Sequence, residues 1–376
     1  MKSGEKDDGK MRMKAAIIRE KDGPFLIEDV ELDEPRGDEM LVRVAASGFC
    51  HTDELARIQA LPVPLPAVLG HEGCGIVEKT GADVREFSPG DKVAFSFGSC
   101  GKCDRCLDGR PTLCESFVTI NFGGVQPDGT SRLSQNGKAI STMFAQSSFA
   151  EYAVVNERGA VKVPDGIPLE ITGPLGCGIQ TGAGAVLNRL RPRPGDSIAV
   201  FGCGSVGLSA VMAAKIANCG KIIAVDRLRS RLEKALELGA THAVESREPG
   251  ETVGDIKALT GKGADCSVDA TGNGVCTRMA LNCTRPGSPT VLIGGGGEMT
   301  LNAEMDIMGE AKSLIGVVEG DSNPKLFIPE LIKHYAEGRF PFDRLIAFYD
   351  FKEINTAMND SLSGKVIKAV LTMGNG

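Results

Sequence analysis

The sequence predicts a mixed α/β fold with two domains, and chain length and two local patterns support this. The chain has 376 residues, about two and a half times a typical ~150-residue domain. From Met13 to about Lys162, short β-branched runs are separated by turn residues, which is typical of an irregular, mostly β domain. After Pro194, buried-strand runs alternate with helical stretches, which indicates βαβ units around a parallel sheet.

Composition and charge exclude several classes of protein. Apolar residues make up 42% and charged residues 24% of the chain, which supports packed cores and excludes general disorder. A net charge of −7 disfavours nucleic acid or an anionic membrane as the main partner. The charged start of the chain and the absence of a long apolar run predict a soluble, cytoplasmic protein. Its 12 cysteines are therefore expected to be thiols for metal binding or catalysis, not disulfides.

The individual elements follow from these patterns. The predicted strands of the first domain are 15–18, 41–44, 75–77, 92–95 and 152–155. The second domain is expected to contain strands 197–201, 222–225 and 290–293, and helices 209–218 and 230–238. Strand texture returns over 340–373, so we expect the α/β domain to be an insertion and the tail to pack on the first domain. The stretch 121–148 is predicted to be a long surface insertion because it is rich in Gly, Ser, Gln and Asn.

A dinucleotide-binding motif opens the second domain. Gly202-Cys203-Gly204-Ser205-Val206-Gly207 follows a predicted strand and precedes a predicted helix, and Asp226 lies 19 residues after Gly207. The glycines allow a tight turn, close approach of the pyrophosphate and helix–strand packing, while the acid accepts the ribose hydroxyls. An aspartate there favours NAD over NADP, although the adjacent Arg227 could pair with a 2′-phosphate. The predicted cofactor-binding residues here are Gly202, Gly204, Ser205, Val206, Gly207, Asp226, Arg227 and Arg231.

Four cysteines form a compact metal-binding pattern. The spacing Cys100-x2-Cys103-x2-Cys106-x7-Cys114 places four thiols within 15 residues. Four thiolates suit a closed tetrahedral zinc site of structural type. An iron–sulfur cluster also uses four cysteines, but no other feature of the chain indicates one-electron transfer.

Two further segments combine a thiol, imidazoles and carboxylates: Cys50-His51-Thr52-Asp53 and Gly70-His71-Glu72-Gly73. With the GHExxG pattern from Gly70 to Gly75, the four-cysteine run, Gly176-Cys177-Gly178 and the dinucleotide motif in that order, the chain resembles the zinc-dependent medium-chain alcohol dehydrogenases. The resemblance extends over nearly the whole chain from Met13, and it is strongest to the aryl or benzyl alcohol dehydrogenase branch.

The resemblance implies a fold and a catalytic zinc site. The fold would be a GroES-like catalytic domain, residues 1–178 and 322–376, with an inserted Rossmann NAD-binding domain, residues 179–321. The catalytic zinc would be held by Cys50, His71 and Cys177, leaving one open position. Glu72 would be an alternate ligand, and Asp53 would orient the ligand histidine. The four-cysteine run would hold a second, structural zinc.

The resemblance also assigns residues to proton transfer and cofactor binding. Thr52 matches the hydroxyl that takes the proton of the alcohol, and His51 matches a residue that contacts the cofactor pyrophosphate. The liver-type enzymes end this proton relay on a histidine three residues after the hydroxyl, where this chain has Leu55. The proton would then leave through His51 or water. Lys368 matches a basic residue that contacts the cofactor phosphates.

The implied reaction is the reversible oxidation of a primary alcohol by NAD, with zinc as the electrophile. We expect an aromatic or allylic alcohol, with Phe95 or Phe97 as candidates to hold a flat ring. A broad aliphatic alcohol dehydrogenase and a glutathione-adduct formaldehyde dehydrogenase remain alternatives, and a zinc-stabilised, noncatalytic NAD-binding protein is the alternative outside enzymes. A homo-oligomer, dimer or tetramer, is expected, with small-molecule alcohols and aldehydes as the other partners.

Overall fold

The computed structural model describes residues 6–7 and 10–374, which divide into two compact units. Unit 1 extends to Cys177 and includes Asn323–Glu330 and the chain from Asp343 onward, whereas unit 2 comprises Gly178–Ser322 and Leu331–Phe342. This division differs from the predicted boundaries at Gly178, at Ser322 and in residues 331–342, all of which belong to unit 2.

The first segment of unit 1 is mostly β structure. Its strands are β1 (Lys6–Asp7), β2 (Lys10–Ile18), β3 (Leu26–Leu32), β4 (Glu39–Gly48), β5 (Ala67–Val68), β6 (Glu72–Thr80), β7 (Lys92–Phe95), β8 (Leu133–Gln135), β9 (Lys138–Ile140), β10 (Tyr152–Asn156) and β11 (Ala160–Lys162). Its helices are α1 (His51–Arg57), α2 (Asp104–Leu107) and α3 (Phe117–Phe122). All five predicted strands of this region are present, because their β-branched and apolar residues fill the core of the unit.

Unit 2 contains a six-stranded parallel sheet. Its strands are β12 (Ser197–Phe201), β13 (Lys221–Asp226), β14 (His242–Glu245), β15 (Cys266–Asp269), β16 (Pro289–Leu292) and β17 (Ser313–Gly316). Its helices are α4 (Gly178–Gly184), α5 (Ser205–Ile216), α6 (Arg229–Leu238), α7 (Pro249–Thr260) and α8 (Gly274–Asn282), and α9 (Pro324–Ala336) follows. The order β14-β13-β12-β15-β16-β17 is that of a Rossmann fold, which binds ligands where the strand order reverses beside β12.

The tail completes unit 1. It contains β18 (Ile346–Asp350), α10 (Ile354–Leu362) and β19 (Lys368–Thr372). Strand β19 pairs antiparallel with β4, with Val370 opposite Gly48. The predicted return of the tail to the first domain is therefore present. Unit 1 contains two sheets. The strand order of one is β1-β2-β3-β8-β9, and the strand order of the other, which contains β19, is β11-β7-β6-β4-β19-β18.

Short 3₁₀ and π turns join these elements. The 3₁₀ turns are Pro111–Leu113, Glu157–Gly159, Leu169–Ile171, Gly173–Gly176, Glu319–Asp321, Phe342–Leu345 and Phe351–Glu353, and the π turns are Ala185–Leu190 and Ala303–Met308. Within the part of the chain that the structure describes, no helix has both the length and the apolar character needed to span a membrane.

The prediction of a surface insertion at 121–148 is wrong for most of that stretch. Only 127–130 and 136–139 form clearly exposed runs, whereas 142–148 is buried throughout. Arg132, which is 2% exposed, donates Nε to Glu39 Oε2 at 2.9 Å and Nη2 to Glu39 Oε1 at 2.7 Å. The polar residues that suggested a surface loop instead make buried hydrogen bonds with unit 1.

Candidate active site

Four side chains in unit 1 converge to form a metal-binding cluster. One potential ligand atom from each of Cys50, His71, Glu72 and Cys177 lies within 4.8 Å of the others. The two sulfur atoms, Cys50 Sγ and Cys177 Sγ, are 4.0 Å apart. Sulfur ligands of one tetrahedral zinc ion, with Zn–S bonds near 2.3 Å, lie roughly 3.8 Å apart. The structure thus brings together the predicted catalytic ligands at a spacing that fits zinc.

Local structure at the start of α1 fixes Cys50 and Asp53. Cys50 is the N-cap residue of this helix, and its backbone N–H donates to Asp53 Oδ2 at 2.9 Å in a capping box. The other carboxylate oxygen, Asp53 Oδ1, accepts from Gly70 N at 3.0 Å and lies 3.0 Å from His71 Nδ1. One buried carboxylate therefore connects the two segments that supply Cys50 and His71.

His71 has the orientation expected of a metal ligand. Its side chain is fully buried, and its Nε2 has no hydrogen-bond partner among the described residues. A buried ring nitrogen without a partner is costly, and a metal ion would satisfy it while Asp53 holds the opposite nitrogen. Gly70 has a φ of +89°, and a Cβ there would lie 2.5 Å from Phe149 N. The glycine before His71 is therefore required by backbone conformation and by space.

The electrostatics of the cluster favour the thiolate form of Cys50. The adjoining Cys177 thiol lowers the pKa of Cys50 well below that of an ordinary thiol, against the opposing effect of burial. Burial disfavours the charged form of His71, but Asp53 and Cys50 together outweigh burial and raise the pKa of His71 well above its usual value. Two thiols and a buried imidazole are a donor set that suits zinc. The Asp53 carboxylate holds the imidazole through its other ring nitrogen.

Lys368 is bonded to the Glu72 carboxylate. Its Nζ donates to both Glu72 carboxylate oxygens at 2.9 Å and to Phe49 O at 3.1 Å. These bonds use all three ammonium protons, and the residue is only 2% exposed. Lys368 therefore forms an ion pair that holds Glu72, because a buried carboxylate needs a neutralising partner; its contact with cofactor phosphates stays a prediction. Burial raises the pKa of Glu72 to about 7, with Lys368 opposing that shift.

The predicted relay residues lie at the start of α1. Thr52 Oγ1 is 3.6 Å from Cys50 Sγ, so its hydroxyl lies beside a predicted zinc ligand. His51 is exposed. Leu55, which follows on the same helix, has no group that can carry a proton.

The second cysteine cluster lies in the segment containing α2. The Sγ atoms of Cys100, Cys103, Cys106 and Cys114 all lie within 4.8 Å of one another, and Cys100 Sγ is 3.9 Å from Cys106 Sγ. Burial opposes the thiolate of Cys100, but backbone N–H groups of Lys102 and Cys103 lower its pKa to about 6. Four sulfur ligands leave no position for a substrate, so this geometry fits a structural zinc.

The dinucleotide motif of unit 2 has the expected geometry. Gly202 has a φ of +86°, α5 begins at Ser205, and a Cβ at Gly204 would meet no atom within 4 Å. A Cβ at Gly207 would lie 1.7 Å from Gly202 O, so close packing requires glycine there. A cavity of about 350 Å³ opens at the carboxyl ends of the strands and is lined by Phe201, Gly202, Val225, Asp226, Arg227, Ser246, Thr271, Asn273 and Cys276.

Asp226 lies in this cavity with capacity for further hydrogen bonds. Its Oδ2 accepts from Cys203 N at 2.6 Å and its Oδ1 accepts from Leu228 N at 2.9 Å. Each carboxylate oxygen has two acceptor positions, so one remains on each for a ribose hydroxyl. Arg227 is exposed beside it, whereas Arg231 is 9% exposed, and burial lowers the pKa of Arg231.

Both predicted aromatic candidates are buried in unit 1. Phe95, the last residue of β7, is fully buried, and Phe97 packs on Phe117 with ring centroids 5.5 Å apart. The ring against His71 is Phe144, with centroids 4.5 Å apart, and Phe122 packs edge-on against Phe144 at 5.3 Å. Sequence reasoning missed Phe122 and Phe144 because both residues lie within the stretch 121–148, which was predicted to be a surface insertion.

The six remaining cysteines belong to neither cluster. Burial raises the pKa of each of these thiols: Cys74, Cys203, Cys219, Cys266, Cys276 and Cys283. They remain protonated and are assigned no ligand role.

Family models match both parts of the chain. The model for an alcohol dehydrogenase GroES-like domain matches residues 36–165, and the model for a zinc-binding dehydrogenase matches residues 205–336. Geraniol dehydrogenase of Castellaniella defragrans is 45% identical over 361 residues, which is 95% of this chain and 96% of that protein.

Solved structures agree over the same length. The crystal structure of an alcohol dehydrogenase zinc-binding domain protein from Burkholderia ambifaria is 45% identical with a TM-score of 0.94, covering 97% of this chain and all of that one. Benzyl alcohol dehydrogenase from Acinetobacter calcoaceticus is 42% identical with a TM-score of 0.92, covering 96% and 99%.

The fold, the site and these similarities define a zinc-dependent oxidoreductase with a GroES-like and a Rossmann-like domain. The chain belongs to the zinc-dependent medium-chain alcohol dehydrogenase family. The predicted family and fold class are thereby confirmed.

Proposed function

We propose that the chain oxidises a primary allylic or aromatic alcohol to the aldehyde, reversibly, with NAD as the oxidant and one catalytic and one structural zinc. The observation that carries the proposal is the ligand set Cys50, His71 and Cys177, in which His71 Nε2 is buried and lacks a partner. When bound, zinc polarises the oxygen of the alcohol and NAD accepts the hydride. Residues of this chain orient the zinc ligands, neutralise Glu72 and move the proton.

Three residues support that chemistry around the ligands. Asp53 holds His71 through Nδ1 and Cys50 through its backbone N–H. Lys368 holds Glu72 by two hydrogen bonds, so that this carboxylate is neutralised while it lies next to the ligand atoms. Thr52 Oγ1 takes the proton of the alcohol hydroxyl and passes it on, through His51 or water, because Leu55 cannot carry it.

Relatives and local aromatic structure support the substrate class. One relative is a geraniol dehydrogenase and another is a benzyl alcohol dehydrogenase. Geraniol is an allylic alcohol and benzyl alcohol is an aromatic one, so both alcohols carry unsaturation next to the reacting carbon. In this chain the edge-to-face pair of Phe122 and Phe144 lies beside His71, and Phe122 is partly exposed. A partly exposed ring edge gives a planar, unsaturated group a surface for aromatic contact.

The substrate proposal predicts a rank order of alcohols. We expect kcat/KM for geraniol, cinnamyl alcohol or benzyl alcohol to exceed that for ethanol by at least about tenfold, because apolar pocket contacts discriminate at this level. Initial rates with NAD across these alcohols, with 1-octanol and S-hydroxymethylglutathione included, test this. If kcat/KM for 1-octanol or ethanol exceeds that for the allylic and aromatic alcohols, the broad aliphatic alternative is favoured. If kcat/KM is highest for the glutathione adduct, the formaldehyde dehydrogenase alternative is favoured.

Thr52 gives the second prediction. Thr52→Ala is expected to lower kcat by at least about a hundredfold, since a positioned proton-transfer group contributes ~10²–10⁴-fold, with the Kd for NAD little changed. Thr52→Ser is the matched control, because it keeps the hydroxyl and should keep most of the activity. Near-wild-type kcat for Thr52→Ala would show that the proton leaves without this hydroxyl.

Cofactor preference follows from Asp226. We expect NAD to be preferred, and Asp226→Ala to reduce the NAD/NADP ratio of kcat/KM by at least about tenfold, because hydrogen bonds to a charged group contribute about 1.5–3 kcal/mol. Asp226→Asn separates charge from hydrogen bonding, since it removes the repulsion toward a 2′-phosphate and keeps one acceptor. A wild-type enzyme with the higher kcat/KM for NADP would contradict the assignment, and Arg227 would then be examined first.

A further inference from the structure

A buried turn of unusual backbone conformation lies beside the catalytic cluster. Three non-glycine residues of the turn 143–148 have positive φ angles: Phe144 at 54°, Ala145 at 51° and Ser147 at 56°. All three are at most 3% exposed. Residues with side chains rarely adopt this conformation, and it persists where the surroundings enforce it, which is often at functional sites.

Hydrogen bonds tie the turn to the segment that carries His71. Ser147 Oγ donates to Val68 O at 2.7 Å, and Ser148 N donates to Gly70 O at 2.9 Å. On the other side, Gln146 Nε2 donates to Ser96 O at 3.0 Å. The turn is thus bonded to the backbone of Val68 and Gly70, just before His71. Its position relative to that histidine is therefore set by backbone contacts.

The turn presents one side chain to the ligand histidine. The Phe144 ring lies against the His71 imidazole, with centroids 4.5 Å apart and planes inclined by 32°. Phe122 at the end of α3 packs on Phe144 in a T-shaped arrangement, with an interplanar angle of 89° and centroids 5.3 Å apart. The Phe144 ring therefore contacts a second aromatic ring as well as the imidazole.

Two contacts of different kinds then fix the imidazole. The hydrogen bond between Asp53 Oδ1 and His71 Nδ1 restrains one ring atom but does not touch the face of the ring. An aromatic ring against the face of the imidazole opposes tilting of its plane by van der Waals contact. Together the two contacts restrain the direction in which Nε2 points.

We propose that Phe144 is a positioning residue for the metal ligand His71, held against the imidazole by the strained turn 143–148. The proposal rests on the proposed function in one respect, namely that a metal binds at Cys50, His71 and Cys177. Under this proposal, the buried turn 143–148 helps to retain the metal at the catalytic site.

The test compares metal loss from the two sites of one protein. In Phe144→Leu, which keeps an apolar side chain but removes the ring face, chelator-induced loss of the catalytic zinc should be about 10–100-fold faster than in the wild type, the usual effect of removing a group that orients a ligand. Loss of the zinc at Cys100, Cys103, Cys106 and Cys114 should be unchanged. Phe351→Leu is the matched control, since Phe351 is 6% exposed in the same core.

A second readout is the visible spectrum of enzyme with cobalt at the catalytic site, which we expect to change in Phe144→Leu and not in Phe351→Leu. Equal acceleration of loss from both sites, or wild-type loss rates with an unchanged spectrum, would overturn the proposal. If Phe144→Leu does not fold, Phe144→Met provides the same comparison with a more adaptable side chain. Absence of any metal at the catalytic cluster in the wild type would instead refute the proposed function.

Discussion

Replacement of Cys177 by serine is expected to lower kcat by at least about a thousandfold while the protein remains folded. Metal polarisation of a reacting oxygen is worth several kcal/mol, and each 1.36 kcal/mol corresponds to a factor of ten in rate. Serine is a poor zinc ligand at neutral pH because its hydroxyl stays protonated. Cys177 ends the 3₁₀ turn Gly173–Gly176 and is 6% exposed, so a substitution of nearly equal size should preserve the local packing.

The measurement combines initial rates, zinc content and a thermal unfolding curve for Cys177→Ser. We expect about one zinc per chain to be lost and the unfolding midpoint to change little. Cys219→Ser is the control for loss of a thiol, because Cys219 belongs to neither metal cluster and should leave activity unchanged. Substantial turnover by Cys177→Ser with only the structural zinc bound would refute the catalytic role of the cluster.

Replacement of Cys103 by serine is expected to act on stability. The four cysteines belong to a small hydrophobic cluster whose other members are Ile120, Ala145 and the partly buried Phe117. A bound zinc would therefore be its main cross-link, and structural zinc contributes directly to folding free energy. A loss of about 4 kcal/mol would lower the unfolding midpoint by roughly 10 °C in a domain of this size.

A thermal melt and the initial rate measured well below the midpoint distinguish this effect from a catalytic one. For Cys103→Ser, the fraction that remains folded should retain most of its specific activity, unlike Cys177→Ser. An unfolding midpoint equal to that of the wild type would show that the four thiols do not hold a metal that stabilises the fold.

Local sequence patterns predicted the parts of the structure that depend on short-range rules. Strand β12 and the glycine turn after it were predictable because Gly202, Gly204 and Gly207 serve a local turn whose geometry depends on neighbouring residues, although α5 begins at Ser205, before the predicted start at 209. The four-cysteine cluster was predictable for the same reason, since all its ligands lie within one short segment. The catalytic ligands come from distant segments, and they were assigned through a family resemblance, not through spacing.

Long-range contacts account for the features that the sequence did not predict. Lys368 and Glu72 are 296 positions apart. The strand texture of the tail predicted its return to the first domain, but no local pattern indicates the register that pairs these two residues. The stretch 121–148 was interpreted as a surface loop because its residues are small and polar, but several of them are buried, and Gln146 Nε2 and Ser147 Oγ donate to backbone carbonyls inside unit 1. The positive φ angles of Phe144 and Ala145 arise from that packing, and no residue preference would have suggested them.

The most direct test of the account is the zinc content of the fully active wild-type enzyme, determined by elemental analysis alongside kcat. Two zinc ions per chain are expected, one at Cys50, His71 and Cys177 and one at the four-cysteine cluster, with activity lost in proportion to removal of the first. One zinc or fewer per chain in protein of full activity would contradict the account.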